Sequence, residues 1–173
     1  MTAPIRRIPL PLAGDALLDA LRAANEDSNV RVILLESAGQ RFCGAMPDAP
    51  EALFLEKFSK PVVAAVQGPA LAEGVALLAC SDIVVAAQGV SFALTEVREG
   101  RAPVGMAAIV RAIGVRRARE LALTGRVFTA PEALQYGLVH HLAPAFEFDE
   151  RADAIASQLA ATPGDCIRRI LQS

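Results

Sequence analysis

Three stretches of this sequence carry residue types suited to chemistry rather than packing. Gly39-Gln-Arg-Phe-Cys-Gly-Ala-Met46 follows a β-branched run. Gln67-Gly-Pro-Ala-Leu-Ala-Glu-Gly74 ends a second run and opens an Ala- and Leu-rich segment, and Ser91-Phe-Ala-Leu-Thr-Glu96 sets an acid behind an apolar segment. Glycine at a strand-to-helix junction lets main-chain N–H groups face outward, and the helix start adds partial positive charge. Two such turns on neighbouring strands could aim their N–H groups at one developing oxyanion. Gly44, Gly68 and Gly74 are equally the ordinary punctuation of turns, and their spacing does not choose between the readings. Glu96 has a plain reading too, as an exposed glutamate in the first turn of a helix, where a negative charge suits the dipole.

The elements that must position these residues alternate along the chain. Residues 15–25 set Leu17, Leu18 and Leu21 at helical spacing, with Asp15 as the expected N-cap. Residues 30–35, 61–66 and 83–86 are short β-branched runs that read as strands, the first buried on at least one face. Residues 71–79, between the last two, are long enough for a crossover helix. Strand, helix, strand with short links is a parallel βαβ unit. In an open parallel sheet the loops beyond the carboxyl ends of the strands form the ligand crevice, and the first two stretches fall there. Downstream, Thr129-Ala-Pro-Glu132 has the form of a capping box, opening a helix through Tyr136 that Gly137 stops. Residues 138–142 read as a strand, and 148–161 as an amphipathic helix ending before Pro163.

Composition narrows the classes. The chain has 173 residues, 53% hydrophobic and 21% charged, enough for one α/β domain with a buried core and a helical tail. A net charge of -2 gives no electrostatic reason to expect nucleic acid or an anionic membrane as partner. Cys43, Cys80 and Cys166 are scattered and form no C-x-x-C, which argues against a disulfide scaffold or a zinc ribbon and fits a reducing cytoplasm. The longest uncharged stretches, 61–72 and 83–95, fall short of a membrane span.

Taken in order, Arg31-Val-Ile-Leu-Leu-Glu-Ser-Ala-Gly39, Phe42-Cys-Gly-Ala-Met46 and Lys60-Pro-Val-Val-Ala-Ala-Val-Gln-Gly68 resemble the crotonase family of enoyl-CoA hydratases and isomerases. The likeness continues through Ala70-Leu-Ala-Glu-Gly74, Cys80-Ser-Asp82, the stretch ending at Glu96, Pro103-Val-Gly105, and from Leu123-Thr-Gly125 to Gly137-Leu-Val139. It implies a crotonase-like α/β fold of repeated ββα and βαβ units. The α/β core would occupy residues 1–144, and residues 145–173 would form a helical tail serving a homo-oligomer, a trimer or hexamer. Against the family pattern, the amino-terminal β-hairpin and the segment between Met46 and Lys60 are abbreviated.

Members of this family bind an acyl thioester and hold its enolate with two main-chain N–H groups. The resemblance places the first donor at Met46, after Gly44-Ala45 where the family usually has Ala-Gly. The second falls at Glu73, within Ala72-Glu-Gly74 where the family usually has three glycines, and Ala45 and Gly74 flank the substrate. Every residue but proline keeps an N–H, although Ala45 and Glu73 reach positive φ less cheaply than glycine. Hydratases of the family use two glutamates to position water. The first position is Ala76 here and the second is Glu96. One glutamate at the second position is the arrangement of mitochondrial-type Δ3,Δ2-enoyl-CoA isomerases, where a single carboxylate moves a proton from the α-carbon to the γ-carbon. The expectation is therefore Glu96 as base and then acid, with Phe92, Leu94 and Val97 offered as an apolar wall that raises its pKa.

Glu73 is read either as a solvated rim residue or as an inward substitute for the missing carboxylate, with Glu99 and Asp48 as weaker substitutes. His140 and His141 are expected to pack or to lie at the surface, Cys43 to have no nucleophilic duty, and Asp82 to serve a turn or cap. The resemblance implies no metal, and no cofactor apart from the coenzyme A or phosphopantetheine that belongs to an acyl-CoA or acyl-carrier-protein substrate. An alternative is a dehydratase or decarboxylase acting on carrier-bound intermediates of polyketide assembly, with Arg116, Arg117 and Arg119 as a patch for the acidic carrier. A third reading is a degenerate member that only binds a partner.

Overall fold

The structure, a computed structural model, describes residues 4–10, 15–37, 41–43, 55 and 58–172. In chain order its elements begin β1 (Ile5–Leu10), α1 (Asp15–Glu26), β2 (Val32–Ser37), β3 (Val62–Val66), β4 (Ala70–Leu71), α2 (Glu73–Ala79), β5 (Ile83–Ala87) and β6 (Ser91–Ala93). A 3₁₀ turn (Thr95–Glu99) leads to α3 (Met106–Ile113), α4 (Val115–Thr124), β7 (Val127–Thr129), α5 (Ala130–Tyr136), β8 (His141–Ala143), α6 (Phe148–Ala161) and α7 (Gly164–Leu171). The side chain of Asp15, expected to cap α1, lies outside what is described.

Strands β1, β2, β3, β5 and β8 lie in that order in one sheet, every neighbouring pair parallel. Successive side chains on a strand point to opposite faces, and here both faces are apolar. Val32, Leu34, Val63, Ala65 and Val85 pack on Phe148, Ala152 and Ala156 of α6. Ile33, Leu35, Val62, Ala64, Val66, Val84 and Ala86 point the other way, into the larger core with Leu17 and Leu21 of α1 and Val75, Leu77 and Leu78 of α2. Burial on both sides is the reason these strands read as unbroken β-branched runs with no polar alternation. Helix α6 is held over the sheet by Arg7 pairing with Asp153, and by Gln67 Nε2 donating to Asp149 Oδ1 at 3.0 Å.

A second, smaller sheet does the positioning. β4 runs parallel to β6, with Ala70 opposite Phe92 and Leu71 opposite Ala93. β7 runs antiparallel to the other edge of β6, and the rings of Phe92 and Phe128 stack at 5.4 Å. The crossover helix is accordingly shorter than its composition suggests: Ala70 and Leu71 are taken by β4, and α2 begins only at Glu73.

The capping box at α5 is fully formed. Thr129 Oγ accepts from the Glu132 N–H at 3.4 Å, and Glu132 Oε2 accepts from the Thr129 N–H at 2.8 Å. Thr129→Ala removes half of that exchange and is expected to lower Tm by about 2–4 °C, read by thermal unfolding of variant and parent side by side; an unchanged Tm would mean that the packing of α5 outweighs its cap.

Candidate active site

The chain leaves β3, passes through residues 67–69 into β4, and starts α2 at a strained residue. Ala72 has φ 49° and ψ −121°, and among the described residues it is the lone non-glycine at positive φ. Its N–H donates to the Ala93 carbonyl at 2.8 Å, and its own carbonyl accepts from Val75 N–H at 2.9 Å. No side chain caps α2, so the amide of Glu73, the first residue of the helix, points out of the helix end without an intrahelical acceptor. The restriction expected at Glu73 thus falls one residue earlier: Ala72 takes the left-handed turn and lets Glu73 adopt helical geometry. Such a conformation costs an alanine about 1–3 kcal/mol, while glycine loses only about 0.4–1 kcal/mol through its freer unfolded chain. Ala72→Gly is therefore expected to raise Tm by about 2–4 °C, and a fall on calorimetry would show that the turn carries no strain.

The turn after β2 meets this helix start. Phe42 N–H donates to the Pro69 carbonyl at 3.1 Å. A Cβ placed on the buried Gly74 would lie 3.4 Å from Cys43 Cβ and 4.0 Å from Phe42 Cδ1. The described residues after β2 and the start of α2 therefore touch at Cys43 and Gly74, beyond the carboxyl ends of adjacent parallel strands. Ala45, Met46 and Asp48 lie outside the described residues.

Glu96 arrives from the other side. Pairing of β6 with β4 sets the end of β6 beside the start of α2, and the 3₁₀ turn that follows carries Glu96 inward. Arg98 Nη2 fastens that turn to the Gly125 carbonyl at 2.7 Å. Glu96 is 0% exposed, and neither carboxyl oxygen has a hydrogen-bond partner. The plain reading of an exposed first-turn glutamate does not hold. Burial, first of all, pushes its pKa up, and the charge of the nearby Glu73 adds to the rise. The neighbouring amides of Glu96 and Val104 and the Arg101 guanidinium oppose it, the amides by proximity and without a hydrogen bond of good geometry. Of the three apolar neighbours in sequence, Phe92 and Leu94 are fully buried, and Val97 is half-buried against Gly125.

Glu73 is 5% exposed, so the reading as a solvated rim residue is corrected: the β4–β6 pairing and Ala72 turn it inward. Arg101 Nη1 lies 3.5 Å from Glu73 Oε1, while its Nη2 and Nε lie 2.7 and 3.2 Å from Glu99 Oε2. Glu99 itself is exposed and held outside by that pair, so it does not replace the first carboxylate. Ala76, at the position of that carboxylate, is fully buried and packs beneath Gly105. Arg101 does not stand out in the sequence, one arginine among many, and its local clue is an acid two residues earlier across a glycine turn.

The remaining candidates serve structure. His140 Nδ1 accepts from Val84 N–H at 2.9 Å, and its own N–H donates to the Val84 carbonyl, in register with the β5–β8 pairing. Asp82 accepts from Val62 N–H at 2.7 Å, tying the starts of β3 and β5. Arg117 lies 3.8 Å over the Tyr136 ring. The hollow of about 540 Å³ beside it, lined among others by Arg116, Arg117, Arg126 and Tyr136, includes neither Glu73 nor Glu96. Among the described residues no group of His, Cys, Asp or Glu is placed to hold a metal, and no helix is long and apolar enough to cross a membrane.

A doubly covered parallel sheet, a small side sheet, and a helix start meeting the segment after β2 beside a buried carboxyl make up the fold and the candidate site, and the comparisons identify the family. The enoyl-CoA hydratase/isomerase family model matches residues 45–173, and the chain belongs to that family, within the crotonase superfamily. It is 34% identical to a Thermus thermophilus protein provisionally named an enoyl-CoA hydratase, over 95% of this chain and 74% of that one. It is 31% identical to the enoyl-CoA hydratase EchA19 of Mycobacterium tuberculosis, over 91% of this chain and 68% of that one. The crystal structure of an enoyl-CoA hydratase/isomerase family protein from Silicibacter pomeroyi matches with a TM-score of 0.90 at 30% identity, covering 97% of this chain and 84% of that chain. The fold is the crotonase-like α/β fold that the resemblance implied.

Proposed function

We propose that this chain moves a proton at the α-carbon of an acyl-CoA thioester, shifting the double bond of an enoyl-CoA, with Glu96 as the acid–base group and no cofactor apart from the coenzyme A of the substrate. The observation that carries this reading is the Glu96 carboxyl, fully buried with both oxygens unpartnered. A carboxyl in that setting favours its protonated form, so it can hold a proton between removal and return. In the forward step the Glu96 carboxylate takes the α-proton of a 3-enoyl thioester, and the C–H electron pair moves onto the thioester oxygen. The Glu73 amide, with Met46 as the second donor, meets that charge. The electrons then return through the dienolate as Glu96 delivers its proton to the γ-carbon, leaving the 2-enoyl thioester. No water is consumed, which suits a site whose first carboxylate position is the apolar Ala76.

Glu73 supports a second reading. Its carboxylate is buried and close enough for Glu96 to feel its charge, and two carboxyls could together position a water for hydration. Incubation with 3-enoyl-CoA and with 2-enoyl-CoA in heavy water separates the two. Deuterium exchange with double-bond migration and no 3-hydroxyacyl product supports isomerisation. Accumulation of the 3-hydroxyacyl thioester supports hydration, and absence of α-exchange from both substrates would sink either.

A further inference from the structure

We propose that Arg101 is a positioning residue: gripped by Glu99, it ties the buried carboxylate of Glu73 to the turn that carries the acid–base group Glu96, and so sets how strongly the charge of Glu73 acts on it. The inference rests on Glu96 being the acid–base group. Arg101 is joined to both sides of the site. Its main-chain N–H donates to the Glu96 carbonyl at 3.0 Å, fixing it to the turn that carries Glu96. Its guanidinium spends Nε and Nη2 on Glu99 and turns Nη1 to Glu73. A planar guanidinium held along one edge presents its remaining N–H groups in a fixed direction, which a lysine ammonium does not do. Arg101 therefore reaches Glu73 from an anchored frame, although its side chain is 42% exposed.

The consequence concerns the protonation of Glu96. The groups facing Glu96 are Glu73 from α2, and Arg101 with the Val104 amide from the segment after the turn. On the same turn Glu99 is engaged by Arg101, and Arg98 is turned away to Gly125. The charge of Glu73 pushes the Glu96 pKa up and that of Arg101 opposes the rise, so Arg101 favours the carboxylate form of Glu96 that takes the α-proton. By tying Glu73 to the same turn, Arg101 sets how strongly that negative charge acts on the base.

The test uses the full chain and two readouts: the pH profile of α-proton exchange from 3-enoyl-CoA, and ¹³C-carboxyl NMR titration of Glu96 without substrate. Arg101→Gln takes a positive charge from beside Glu96, so Glu96 binds its proton more readily. The acidic limb should move to higher pH, and exchange below that limb should fall about 3- to 10-fold while recovering at high pH. Glu73→Gln removes a negative charge and should move the limb the opposite way. Arg101→Lys keeps the charge and should restore the limb while losing the fixed direction, and the Arg101→Gln effect should shrink in a Glu73→Gln background. A Glu96 titration identical in parent and Arg101→Gln, or a shift of equal size with and without Glu73, would overturn the proposal. Absence of exchange in the parent with the NMR shifts as described would overturn the functional reading and leave the pairing intact.

Discussion

Glu96→Gln is expected to lower α-proton exchange about 10³-fold while leaving the protein more stable at neutral pH. The amide is nearly isosteric and cannot take up the proton, and a positioned acid–base group contributes roughly 10²–10⁴-fold. The gain in stability follows from the two unpartnered oxygens, because burying a carboxyl without a hydrogen-bond partner costs more when it is ionised than when it is neutral. The folded state holds the Glu96 proton to higher pH than the unfolded chain does, since the pKa is raised from 4.5 on folding. Between the two values the native state binds more protons, so this group's contribution to stability falls as pH rises. The destabilisation is absent below the ordinary carboxylate range and complete above the raised folded value. Glu132 slopes the other way, held down to about 2 by the Thr129 N–H and by Arg126, but parent and variant share it. The Tm of Glu96→Gln should therefore exceed that of the parent by a margin that widens from acid to neutral pH. A margin that stays constant, or exchange that survives the substitution, would remove Glu96 from the centre of the site.

Gly105→Ala is expected to cost about 3 kcal/mol, a fall in Tm of about 6–12 °C. Gly105 caps α3 at φ 69°, and a Cβ built there would stand 2.7 Å from the Ala76 Cβ. Neither atom is the far end of a flexible chain, so α2 and α3 would have to separate. The positive φ adds its own penalty for any L side chain. The two contributions are separable, because Ala76→Gly removes the contact and leaves the dihedral. The double variant should therefore lose less than the two single changes together, a coupling that chemical denaturation can measure. Simple additivity would mean that the helices part without strain. The same contact bears on function, since it occupies the position where a two-glutamate hydratase would keep its first acid.

Much of this molecule is legible in its residue order because the signals are local. Thr129 and Glu132 fix a helix start three residues apart, and the run 148–161 before Pro163 becomes α6 with those bounds. The β-branched runs become parallel strands because Val32 to Leu35, Val62 to Val66 and Val84 to Ala86 are apolar on both faces and buried. The ordered turn motifs indicate the family, and they place Glu96 and Glu73 as residues worth watching. What they leave open is decided by chain segments that meet only after folding. The pairing of β4 with β6 brings Ala72 to Ala93, and that contact moves the strained dihedral to Ala72, turns Glu73 inward and sets Glu96 beside it. Whether a glutamate is solvated or buried, and which arginine answers it, depends on the distance and dielectric between side chains far apart in sequence. Those quantities exist only in three dimensions, which is why Arg101 looks like an ordinary surface residue until Glu73, Glu96 and Glu99 are seen around it.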